Sequence, residues 1–140
     1  MSTSAADMDA LHTRADAAAQ SAYAPYSRLH VGAALRSASG RIYTGCNVEN
    51  ASFSIGGCAE RAAIAAAVQA EGQAFRLDAI AVAAFRDDGR ALPITPCGAC
   101  RQALVEFGAD AQVGFRQPDG TWLTVSADAL LPYRFCFPER

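Results

Sequence analysis

The sequence predicts an α/β layer structure with a mixed sheet, and three observations carry that reading. Helix-like stretches alternate with short apolar strand-like runs in the order α-β-β-α-β-α-β-β-α. Clusters of turn residues, Ser37-Ala-Ser-Gly40, Asp87-Asp-Gly89 and Pro118-Asp-Gly120, fall where the chain must reverse. The 140 residues are 51% apolar and 19% charged, enough for one domain spanning residues 1–140 with its own core.

Each element has a local cause. Asp7 to Tyr23 has amphipathic spacing and predicts an opening helix closed by Pro25. His30 to Arg36 and Arg41 to Cys46 read as two strands joined in a hairpin by the Ser37–Gly40 turn. Residues 58–71 form an alanine-rich helix that stops before Gly72. Leu77 to Phe85 is almost continuously apolar, the pattern of a strand covered on both faces. Pro96 suits the first turn of a helix that runs to about Phe107, with Gly108 as its stop. Ala111 to Arg116 and Thr121 to Val125 are the last strands, and Ser126 can cap a short helix over Ala127 to Leu131.

Composition narrows the function classes. The net charge is −2, lysine is absent, and the arginines are scattered, so no basic stripe exists for a nucleic-acid polymer. A small, near-neutral partner suits such a surface better. The longest apolar stretch, Ala62 to Val68, is too short to span a bilayer, and the first residues lack the pattern of a secretory signal. Five cysteines is an odd count that fits thiolates kept reduced in a cytoplasm.

Cys58-Ala-Glu60 and Pro96-Cys-Gly-Ala-Cys100 carry the chemistry. Three soft ligands suit Zn²⁺ and leave its fourth position open, and Glu60 is placed to move protons there. Cys97 and Cys100, three apart at a helix start, face one way, where free N–H groups favour thiolate. Cys58 opens the other helix and meets them if the two N-termini converge. Three thiolates and one Zn²⁺ sum to −1, so a cation is needed nearby; Arg61 is the first candidate and Arg101 the second. Two plainer readings stand beside this one. Cys97 and Cys100 form a redox pair, or a closed structural zinc recruits Cys46, Cys136, His12 or His30; otherwise the two histidines read as surface or packing residues and Cys46 and Cys136 as small apolar fillers.

These segments resemble the small, homotetrameric, zinc-dependent cytidine deaminases. The likeness runs from about Tyr23 to Phe135 through Ala24-Pro-Tyr-Ser27, Val31-Gly-Ala-Ala-Leu35, Gly45-Cys-Asn-Val-Glu-Asn-Ala-Ser52, Cys58-Ala-Glu-Arg61, Pro96-Cys-Gly-Ala-Cys-Arg-Gln102 and Leu130-Leu-Pro132. The resemblance implies a three-layer α/β/α sandwich with a five-stranded mixed sheet. It also implies one zinc per subunit and active sites shared in a homotetramer. It assigns Cys58, Cys97 and Cys100 to the zinc and Glu60 to proton transfer. Asn47 and Glu49 become ribose contacts, backbone around Ala59 binds the pyrimidine edge, and Arg61 bonds the thiolates. An amide and a carboxylate at i and i+2 of an extended segment point the same way, which suits sugar hydroxyls. Turn capping after the second strand is the plainer role for that pair.

The chain departs from the family pattern at Leu29, where a phenylalanine usually stacks on the base, and at Phe53, where tyrosine is common. Phe135 matches an aromatic that the family sends into a neighbour's pocket; packing on its own subunit is the other reading. The implied reaction is deamination of cytidine and 2′-deoxycytidine in pyrimidine salvage, with Leu29 opening room for 5- or N4-substituted cytidines. Deamination of a blasticidin-type antibiotic, a polynucleotide deaminase, and a zinc-stabilised binding module without catalysis are the competing functions.

Overall fold

The computed structural model describes residues 3–138. In chain order the elements are α1 (Ala5–Ala19), β1 (Leu29–Ser37), β2 (Ile42–Cys46), α2 (Ala59–Glu71), β3 (Leu77–Arg86), β4 (Ala91–Leu92), α3 (Gly98–Phe107), β5 (Gln112–Arg116), β6 (Trp122–Ser126) and α4 (Ala127–Leu130). The sheet order is β2-β1-β3-β5-β6, and β4 pairs with the far end of β3. Among the strands of the described residues β3 and β5 run parallel, and the other strand pairs are antiparallel. The mixed five-stranded path is the expected one. The two-residue β4 is an addition that is too short to leave a periodic trace in sequence.

Strand β3 is covered on both faces, and its alternation sorts the two cores. Ile80, Val82 and Ala84 pack with Val31, Ala33 and Leu35 of β1 against Ala63, Ile64 and Ala67 of α2 and Leu104 of α3. Ala79, Ala81 and Ala83 turn the other way and meet Met8, Leu11 and Ala15 of α1. One helix on one face and the remaining helices on the other make the three layers.

Two glycines set the spacing of those layers. A methyl group at Gly32 would lie 2.1 Å from the Ala15 carbonyl oxygen, so α1 rests on bare β1 backbone. A methyl group at Gly45 would lie 2.5 Å from the Ala63 nitrogen and 2.6 Å from the Ala59 oxygen, so the first turn of α2 rests on β2 in the same way.

Helix α1 begins earlier and ends earlier than its spacing predicts. Ser4 and Asp7 form a capping box at its start. At its end the chain leaves the helix after Ala19 because the Tyr23 backbone is used elsewhere. The Tyr23 N–H donates to the Asn47 carbonyl (3.1 Å), and the Glu49 N–H donates to the Tyr23 carbonyl (2.8 Å). Pro96 also departs from expectation: Cys97 is the N-cap of α3, so the proline precedes the helix rather than sitting in its first turn. Cys136, expected as a small apolar filler, is exposed. Among the described residues no helix is long and apolar enough to cross a membrane.

The side of α1 that lies over β5 and β6 is fastened to the sheet by a stacked cluster. The His12 ring lies 3.8 Å from Trp122 and parallel to it, and Arg116 makes paired bonds to Asp16 at 3.0 and 2.9 Å while covering Trp122. Burial pushes the His12 imidazole below its ordinary range, against the opposing pull of Asp9 and Asp16. Its unfolded counterpart binds a proton first as pH falls, so this contribution to stability is full above about pH 6.5 and drains away below it. We expect the urea midpoint to fall as the pH drops below about 6.5, and His12→Phe to flatten that part of the profile. A variant with the same slope as the parent would exclude His12 as its source.

Candidate metal centre

Two helix N-termini meet at one end of the sheet. Cys58 caps α2 in extended conformation (φ −82°, ψ 152°), and Cys97 caps α3 likewise (φ −66°, ψ 167°). Cys100 follows in the first turn of α3 and is fully buried. The three sulfurs lie within 4.8 Å of one another, and among the described residues no other His, Cys, Asp or Glu joins the group. Neither Cys46, Cys136, His12 nor His30 closes the site as a fourth ligand. The donor set fits zinc: three soft sulfurs within reach of one ion, where a closed structural site takes four ligands.

Charge is the difficulty that this arrangement must meet. Burial pushes the Cys100 thiol up, reinforced by the neighbouring Glu60 carboxylate and Cys58. Burial acts upward on Cys97 as well, but N–H groups of Cys100 and Ala99 and the adjacent thiols bring it below its ordinary value. Glu60 is only 4% exposed, and burial raises its carboxyl despite its own N–H, Cys100 and Arg61. A divalent cation among the sulfurs reverses this balance and displaces their protons.

The Arg61 guanidinium donates to the Cys58 sulfur at 3.6 Å, which is the position expected for a compensating cation. Arg101 is a correction to the sequence reading. Its donors go to the Pro96 carbonyl (2.8 Å), the Leu130 carbonyl (3.0 Å) and the Thr95 hydroxyl (3.3 Å), not to a sulfur.

Beside the sulfurs opens a cleft of about 410 Å³. Cys58, Ala59, Glu60 and Cys97 line it at the helix starts, together with Leu29 and Val31 of β1 and Ile94 and Thr95 before α3. Asn47 and Glu49 both reach this space, as their i, i+2 spacing implied. Each also braces the rim. Asn47 accepts from the Val31 N–H and donates to the Leu29 carbonyl, both at 2.8 Å. Glu49 accepts from the Tyr26 N–H (2.9 Å), the Ser27 N–H (3.1 Å) and the Ser27 hydroxyl (2.5 Å). The Ser27 hydroxyl is the main cause of its carboxyl lying below the usual range. These bonds tie the start of β1 and the turn before it, not a turn after β2 as the plainer reading expected, and they coexist with access to the cleft.

The aromatic ring at the cleft is Phe53, edge-on to Tyr26 at 5.5 Å; Leu29 presents none. Phe135 lies outside this cleft, 68% exposed, with its carbonyl accepting from the Gln102 side chain at 3.0 Å. Ile94 and Thr95 had gone unnoticed in the sequence, where their one signal is that they precede Pro96-Cys97.

Comparison with known proteins agrees with this geometry. Residues 6–115 match the family model described as the cytidine and deoxycytidylate deaminase zinc-binding region. The cytidine deaminase of Halalkalibacterium halodurans is 41% identical over 130 residues, covering 92% of this chain and 94% of that protein. A crystal structure of cytidine deaminase from Burkholderia pseudomallei superposes with a TM-score of 0.78 at 43% identity, covering 91% of this chain and 98% of that one. One from Mycobacterium tuberculosis gives 0.76 at 39% identity, covering 94% and 98%. With three sulfurs gathered at two helix ends beside a buried glutamate, the chain belongs to the zinc-binding cytidine and deoxycytidylate deaminase family.

Proposed function

We propose that the protein hydrolyses cytidine and 2′-deoxycytidine to the corresponding uridines, releasing ammonia, as a step of pyrimidine salvage in the cytoplasm. The observation that carries this is the buried Glu60 carboxyl beside three convergent sulfurs at a nucleoside-sized cleft. Cys58, Cys97 and Cys100 hold the zinc, one per subunit. Zinc bound there supplies Lewis acidity that makes a water nucleophilic near neutral pH.

Glu60 does the proton work. Its burial raises its affinity for a proton, as a group that alternately accepts and donates one requires. It takes the proton of the attacking water and delivers it to N3 of the cytosine ring. Once the water oxygen is bonded to C4, Glu60 takes the remaining proton from that oxygen and passes it to the amino group, which leaves as ammonia as the C4–N bond breaks. Arg61 offsets the negative charge of the sulfurs without entering the reaction. Asn47 and Glu49 meet the sugar hydroxyls with the bonding capacity the rim leaves them, a spare amide hydrogen and spare carboxylate lone pairs. Backbone around Ala59, buried at the cleft, meets the pyrimidine edge.

A small nucleoside rather than a polynucleotide is the substrate, in keeping with a chain without lysine and with scattered arginines. A single domain and a homotetramer with shared active sites complete the reading. In its support, Tyr133, Phe135 and Phe137 all stand exposed on the C-terminal segment, and Phe135 is the ring offered to a neighbour's cleft.

Glu60→Gln is expected to retain stoichiometric zinc while kcat on cytidine drops by about 10²–10⁴-fold, followed by ultraviolet absorbance. Turnover close to the parent's would remove Glu60 from the mechanism. Leu29, aliphatic in the wall of the cleft, leaves room beside the base for 5- or N4-substituents. We expect Leu29→Phe to lower the rate on an N4-alkyl cytidine relative to cytidine by about 10-fold or more; an unchanged ratio sinks the idea of a widened pocket. Light scattering should return a four-subunit mass, and a monomer with full activity would rule out shared sites.

A further inference from the structure

We propose that Arg101 is a positioning residue for the metal loop. It pins the segment that delivers Cys97 and the Thr95 wall of the cleft to the end of α4. The inference rests on the reading of Cys58, Cys97 and Cys100 as zinc ligands and goes beyond it.

The three candidate ligands are not held equally. Cys100 is buried within α3, and Cys58 caps a helix seated on β2 at Gly45. Cys97 is exposed, at the junction between helix and loop, so its place depends on the path of the residues before it. Those residues are the ones Arg101 grips. Nε donates to the carbonyl of Pro96, a residue whose ring is fully buried, at 2.8 Å. Nη2 donates to the Thr95 hydroxyl at 3.3 Å.

The third donor gives the strap its anchor. Nη1 donates to the Leu130 carbonyl at 3.0 Å, a group at the C-terminus of α4 that has no partner further along its own helix. Helix α4 is itself fixed to the chain before β5, where Ala127 N–H meets the Ala111 carbonyl (2.9 Å) and Asp128 N–H meets the Ala109 carbonyl (3.0 Å). One planar fork therefore joins a fixed helix end to the loop beside the metal centre. A lysine keeps the charge but offers a single point of donation, so it cannot span the three acceptors. This separates positioning from electrostatics, because the Arg101 cation is not spent on a sulfur.

The test uses full-length protein in the parent form and as Arg101→Lys, Arg101→Gln and Gln102→Ala. Each is loaded with cobalt(II) to read the thiolate-to-metal and d–d bands, and separately with zinc to follow its release to a chelator. Both Arg101 variants should show shifted d–d bands, zinc release faster by about 10–100-fold and a lowered kcat. The KM for cytidine should move by less than about threefold, since the sugar contacts are untouched. Gln102→Ala frees the Phe135 carbonyl but not the metal loop, and should keep the parent spectrum. Arg101→Lys with the parent's spectrum and release rate overturns the proposal, as does a Gln102→Ala shift of equal size. If the Arg101 variants fail to fold, Thr95→Val removes one acceptor and should move the bands the same way by a smaller amount; no movement overturns the proposal. A parent that binds no stoichiometric metal overturns the zinc reading and the strap with it, whereas normal loading with unchanged variants overturns the strap alone.

Discussion

Like charge gathered in a dry corner is the constraint on which the rest of this molecule depends. Three sulfurs within 4.8 Å, one of them fully buried, share their surroundings with a carboxylate that is 4% exposed. Left to themselves such groups hold their protons, which is why Cys100 and Glu60 both lie above their ordinary values. The fold answers with two helix N-termini, the Arg61 guanidinium at 3.6 Å from Cys58, and a geometry suited to one divalent ion. Ligand capture is thereby coupled to folding, since no unfolded chain offers the same three donors at once.

Small residues make that corner possible. Gly32 and Gly45 let α1 and α2 lie directly on sheet backbone, and the alanines of β3 continue the pattern beneath α1. Bulk at Gly45 would lift the first turn of α2 and carry Cys58 with it. The alanine-rich composition is thus more than helix propensity; it fixes interlayer distance, and interlayer distance fixes ligand distance.

Local chemistry was legible in the sequence and distant pairing was not. The sulfurs and Glu60 sit in two short motifs at helix starts; Cys97 and Cys100, three apart, share a direction by helical geometry, whereas Glu60 joins Cys58 because that residue is an extended N-cap outside the winding. Arg61 and Arg101 could not be told apart by helical spacing, since each lies three or four residues after a cysteine N-cap. Tertiary partners separate them: Arg61 turns back to the Cys58 sulfur, whereas the Arg101 donors are taken by the Pro96 and Leu130 carbonyls and the Thr95 hydroxyl. The early end of α1 and the Ser27–Glu49 clasp both need partners more than twenty residues distant, and no periodicity announces them. Strand β4 is two residues long and owes its existence to the edge of β3.

The double employment of Asn47 and Glu49 shapes how this site can change. Each ties the rim of β1 or the Tyr26–Ser27 turn by main-chain bonds while facing the cleft. Replacing either removes bonds that hold the rim as well as a group that lines the cleft. Leu29 and Ile94 offer the cleft only hydrocarbon side chains. A changed side chain at Leu29 or Ile94 therefore reshapes the cleft without breaking the ties of the rim, whereas a change at Asn47 or Glu49 does both.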